Sequence, residues 1–186
     1  MLRRSHMKKF LNQLTAAAVE RLARPTNPQA LMRTLCEIMG DRMGTSVVLR
    51  IAPFPPHTGA SGLTLRFDNG QALVLVEERT DAEHQLVILG HELWHLKHGH
   101  CGHASDGLAA AARALACDNE LPWDELLSMA ARAPSPHSDE TDADDFGLLL
   151  SVKFRHWLTG PYATGPVTQN TVEGRIGACL NPRTGL

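Results

Sequence analysis

The sequence predicts an α+β fold: N-terminal helices, a small three-stranded antiparallel or mixed sheet, and two later helices that carry the chemistry. Three observations point to it. Apolar residues recur every three or four positions over the first forty residues, β-branched and apolar runs separated by turn signals fill 45–77, and helical periodicity returns at 81–97 and again from Ser138. With 186 residues, 43% hydrophobic and 20% charged, the chain can bury one ordinary core, so a single domain over 1–160 is expected, followed by an irregular tail over 161–186.

The elements follow in order. Residues 1–7, "MLRRSHM", read as a flexible basic tail, with "SHM" resembling a remnant of cloning. From Lys8 to Leu22 the spacing of Phe10, Leu11, Leu14, Ala18 and Leu22 predicts an amphipathic helix that Pro25 ends. A second helix is expected from Pro28 to Met39, with Asn27 as N-cap and Gly40 near its end. "TSVVLRIA" predicts a strand and "PFPPHTGASG" a loop; "LTLRF" and "ALVLVEE" flank "DNG", which predicts a hairpin. A helix over 81–97 follows, capped by Thr80 or Asp81 and closed by Gly99. An alanine-rich helix at 108–115, a short helix after Pro122 and a long helix from Ser138 or Asp139 complete the reading.

Composition excludes several classes. A net charge of −2 gives no field for direct nucleic-acid binding. No apolar run approaches the roughly 18 residues of a membrane span, and no secretory h-region opens the chain, so no membrane partner and a cytoplasmic location are expected. Cys36, Cys101, Cys117 and Cys179 form no C-x-x-C pair and fit reduced thiols. The sequence does not fix an oligomeric state.

The chemistry concentrates in "HELWHLKHGH", residues 91–100. Four residues along a helix turn a side chain by about 40° and advance it about 6 Å, so His91 and His95 project from one face and can grip one ion. Glu92 stands beside that ion, where its carboxylate can take a proton from the water a bound Zn²⁺ activates. With the His and Glu content of this chain, chance gives an H-E-x-x-H with odds of about 3%. Two histidines bind zinc weakly, so a third protein ligand is expected. "DETDADD" offers five carboxylates, and spacing does not choose among Asp139, Glu140, Asp142, Asp144 and Asp145. Acids at a helix N-terminus also suit the dipole without any metal.

Taken together, "ILGHELWHLKHGH" and "ETDADDFGLLL" resemble the ImmA/IrrE family of zinc metallopeptidases over roughly residues 30–155. Members share N-terminal helices, a small sheet, an H-E-x-x-H helix and a later helix with E-x-x-A-x-x-F-A. Glu140, Ala143, Phe146 and Gly147 match that pattern, with Gly in place of the last Ala. "VEERT" is similar to strand ends in actinobacterial relatives. The resemblance implies that His91, His95 and Glu140 ligate Zn²⁺ and that Glu92 is the catalytic acid/base. Changing Glu140 should then weaken metal binding, while changing Asp142 or Asp144 should not. It further implies a narrow-specificity endopeptidase that cleaves a regulatory protein of helix-turn-helix repressor type, encoded next door in a toxin-antitoxin-like or phage-regulatory pair. Trp94 departs from the small residue common at that position and either crowds the cleft or packs on the core.

The remaining histidines have two readings. His98, His100 and His103 with Cys101 could form a second metal site, or imidazoles at a helix C-terminus could simply suit its dipole. Tyr162, His156 and His137 are candidate oxyanion donors. A second functional class also remains: a non-proteolytic module of the same fold that docks a partner on an exposed strand edge. An intact Glu92 favours the enzyme, because docking has no need of that acid.

Overall fold

The computed structural model describes residues 2–100, 102–104, 121–130 and 137–159. Helix α1 spans Leu2–Arg21 and so begins six residues before the expected Lys8. The flexible tail expected over 1–7 is instead helix from Leu2 onward. Met7 is the reason: it extends the Phe10, Leu11 and Leu14 stripe by one turn and is 3% exposed in the core.

Helix α2, Pro28–Met43, starts where its residues dictate: the Asn27 side chain accepts the backbone N–H groups of Gln29 and Ala30 at 2.9 and 3.3 Å, and Pro28 lacks an N–H to satisfy. It runs past Gly40 and ends at Gly44, whose φ is +67°. Gly40 serves a close approach: a Cβ there would lie 2.6 Å from the Thr45 carbonyl oxygen.

Strands β1 (Val47–Ala52), β2 (Gly62–Phe67), β3 (Ala72–Glu77) and β4 (Gly102–Ala104) form a mixed sheet in the order β1-β3-β2-β4. The three expected strands are present, and β2 and β3 form the hairpin at "DNG", with Leu65 opposite Leu73 and Gly70 at φ +85° donating to the Phe67 carbonyl. β1 runs parallel to β3; β4, a three-residue strand that the sequence did not announce, runs parallel to β2. β3 is apolar on both faces because both are covered. Ala72, Val74 and Val76 face the main core under α1, α2, helix α3 (Ala82–His98) and helix α5 (His137–Phe154). Leu73 and Leu75 face a second cluster with Leu63, Leu65, Phe67 and Phe54, closed by Leu126 and Met129 of helix α4 (Trp123–Ala130).

α3 is capped by Asp81, which accepts the His84 N–H at 2.9 Å, and ends at Gly99 with φ +74°. Its partner is α5, and the two cross at glycines: a Cβ on Gly90 would lie 2.7 Å from Gly147 Cα, and a Cβ on Gly147 would collide with the Val87 carbonyl. The expected helix at 108–115 and the tail over 161–186 lie outside the described residues. Among the described residues no helix is long and apolar enough to cross a membrane.

Candidate metal centre

One turn of α3 brings the His91 and His95 rings within 4.6 Å of each other, centroid to centroid, with their Nε2 atoms 2.9 Å apart. From α5, Glu140 Oε2 completes a triangle at 3.4 Å from His91 Nε2 and 3.5 Å from His95 Nε2. The glycine crossing explains why this carboxylate and not its neighbours arrives. Gly147 lies two turns after Glu140 on the same face of α5 and Gly90 directly precedes His91, so the closest approach of the helices points Glu140 at the histidines. Among the described residues, His91, His95 and Glu140 are the group of His, Cys, Asp and Glu side chains that could hold a metal ion.

Asp144, one turn after Glu140, places Oδ1 2.9 Å from His91 Nδ1. Asp144, to which the sequence reading gave no part in metal binding, thus touches one of the two histidines. An imidazole that donates its Nδ1–H to a carboxylate keeps its Nε2 lone pair free for a metal ion, so the Asp144 contact favours the tautomer in which His91 could ligate one. His95 is 6% exposed, and burial together with the neighbouring His91 holds its imidazole below the usual range, in the neutral form that ligates metals.

Glu92 lies buried beside the triangle, on the side of β2. The Thr64 hydroxyl donates to its Oε2 at 2.7 Å, and Gly62 leaves room for its Oε1, since a Cβ at Gly62 would stand 2.5 Å from that oxygen. Burial pushes the Glu92 carboxyl up from its ordinary 4.5 to about 7, against the lowering effect of the Thr64 bond and of His91. Neither Thr64 nor Gly62 is marked by any motif; the sequence reading missed both.

A cleft of about 440 Å³ opens over these groups, walled by the 59–62 segment on one side and by His84, His91, Glu140 and Asp144 on the other. The 59–62 segment is tied to β3 by the Glu77 N–H, which donates to the Ser61 carbonyl at 2.8 Å, and the Glu77 side chain accepts the Phe54 N–H at 3.1 Å and pairs with Arg79. His84 also escaped the sequence reading. The signal was there, because it stands seven residues before His91 and therefore on the same stripe of α3.

The other candidates separate. His98 turns back onto its own helix, with Nδ1 2.9 Å from the Trp94 carbonyl and its ring 4.2 Å from that of Trp94, and His100 Nδ1 lies 3.3 Å from Asp139 Oδ2. Both therefore behave as helix-end residues and join no metal-holding group among the described residues. Cys101 and Tyr162 lie outside the described residues, as do the side chains of His103 and His137. His156 sits in the Arg155–Trp157 turn, sixteen residues and about 24 Å of helix from Glu140, and so does not serve the centre. Trp94 is 5% exposed and packs on Phe10 and Phe146, so it fills the core and leaves the cleft open. Comparison with family models, curated proteins and solved structures finds no match to this chain.

Proposed function

We propose that the chain is a zinc-dependent endopeptidase of narrow specificity that cleaves a regulatory protein of helix-turn-helix repressor type, as the resemblance to ImmA/IrrE metallopeptidases implies. The observation that carries this reading is the donor triangle with a buried carboxylate beside it. Tetrahedral zinc with bonds of 2.0–2.1 Å sets its ligand atoms about 3.3 Å apart. The three donors stand 2.9, 3.4 and 3.5 Å apart, so they fit that ion with little movement.

Zinc, when bound, supplies a Lewis acid for a peptide carbonyl and makes water a usable nucleophile near neutral pH. The chain's own residues do the rest. Thr64 occupies Oε2 of Glu92, which leaves Oε1 to take the proton of the attacking water and pass it to the leaving amine nitrogen. Burial raises the Glu92 carboxyl in the metal-free chain, which makes it a stronger base than an exposed glutamate. Asp144 keeps His91 in one tautomer throughout. The substrate has a place to lie: β4 pairs with Leu65, Arg66 and Phe67, so beside the centre the Gly62–Thr64 edge of β2 is left unpaired among the described residues and can accept an extended peptide as an added strand.

The test is Glu92→Gln, which keeps size and polarity but removes the base. The variant should retain about one zinc per chain and bind the regulator encoded beside it, while its cleavage rate falls about 10²- to 10⁴-fold. Cleavage at the parent rate ends the proposal. Relief of repression without cleavage in both proteins favours the docking module.

A further inference from the structure

We propose that a second cavity, where α2 and α3 end together, binds the dianionic group of a small phosphate monoester. This inference does not rest on the zinc reading. The cavity is about 770 Å³, within the range of small-molecule sites, with a floor that includes Phe10, Met39 and Leu96 and with Arg42, Arg66 and Lys97 around it. Among the described residues no carboxylate lines it.

The three cations come from three elements. Arg42 Cζ, near the end of α2, stands 5.7 Å from the Phe10 ring centroid, and Lys97 Nζ, near the end of α3, stands 5.4 Å from the same ring. Arg42 donates to the uncharged Gln13 side chain at 2.7 Å, and Arg66, on β2, has no ion pair among the described residues.

A simpler account would have these cations only complement the helix ends. It fails on number and on Arg66. Each helix C-terminus carries about −0.5 charge, so α2 and α3 together offset about one cation of the three. Arg66 belongs to a strand and has no helix end to complement. Two positive charges remain, which a phosphate monoester dianion matches and a single carboxylate half matches. Arginine forks also suit tetrahedral oxyanions, which accept paired N–H bonds.

The test uses the full ¹⁵N-labelled chain titrated with inorganic phosphate, sulfate and acetate at constant ionic strength. Phosphate and sulfate should shift the amides of Arg66, Arg42–Gly44 and Lys97–Gly99 saturably, with acetate at least tenfold weaker. Arg66→Gln should weaken phosphate binding at least tenfold with the rest of the spectrum unchanged, and Arg42→Gln is an independent removal expected to do the same. Glu140→Gln should leave phosphate affinity unchanged, which separates this cavity from anion binding at the metal centre. Shifts centred on His91 and His95, acetate binding as tight as phosphate, or undiminished affinity in Arg66→Gln and Arg42→Gln would overturn the proposal.

Discussion

Replacing Gly90 by alanine tests whether the α3–α5 crossing builds the metal centre. The new methyl would stand 2.7 Å from Gly147 Cα and 3.1 Å from Leu150 Cβ. Carbon atoms pack at about 3.5–4.0 Å, so the crossing must open by on the order of 1 Å. Two effects on stability oppose each other. Alanine gains about 1 kcal/mol of helix propensity over glycine, and overpacking costs about 1–3 kcal/mol. The net loss should therefore lie between nothing and about 2 kcal/mol. The metal centre feels only the opening. Glu140 Oε2 now stands 3.4 and 3.5 Å from the two histidine nitrogens, and moving it by about 1 Å exceeds the roughly 0.2 Å that metal–ligand bonds tolerate. Metal affinity, read by competition with a chromophoric chelator, should fall at least tenfold, while urea unfolding of the metal-free protein shows the smaller change. Gly147→Ala, whose methyl would meet the Val87 carbonyl and the His91 backbone nitrogen from the α5 side, should do the same with the sequence of α3 unchanged. Wild-type metal affinity in both variants would show that the crossing does not position Glu140.

Three further outcomes follow from the same geometry. Glu140→Gln should lower metal affinity more than any change at Asp142, since Glu140 alone of the two belongs to the metal-holding group; equal losses in chelator competition would remove Glu140 from the site. Asp144→Asn should weaken metal binding about tenfold, the low end for partners of ligating histidines, because the Asp144 side chain is 71% exposed; an unchanged affinity would show that solvent replaces it. In the metal-free protein the native state keeps a proton on Glu92 that the unfolded chain, at 4.5, releases. Stability from this group is thus fully present below about 4.5 and falls as pH rises to about 7, by about 3 kcal/mol. Urea midpoints measured across that range should show this slope in the parent relative to Glu92→Gln, and parallel curves would refute it.

The parts of the fold legible in the sequence are those with a local cause. Asn27 and Asp81 accept N–H groups within three residues, Gly70 supplies a positive φ inside its own turn, and His91 with His95 needs only one helical turn to meet. β4 pairs with β2 across some forty residues and has no periodicity of its own over three positions, so nothing local announces it. The same division runs through the site. Thr64 and Gly62 touch Glu92 from another element, and their chemistry is invisible until the hairpin is laid against α3.

Glu140 is the instructive case. Spacing leaves five acids open, and the resemblance names Glu140 without saying why that one meets the histidines. Gly147 supplies the reason. On a helix as polar as "HSDETDADD" at its start, the side that meets a neighbour is marked by where the side chain is missing: the closest approach to α3 falls on Gly147, and two turns back along that line stands Glu140, with Ala143 between them also fully buried. Asp139, Asp142 and Asp145 lie off that line. Asp144 lies one turn from Glu140 and rotated by about 40°, enough to pass the Nε2 atoms of the two histidines and reach Nδ1 of His91. Gly147 is thus the residue of α5 that lets Glu140, of the five acids, meet the two histidines.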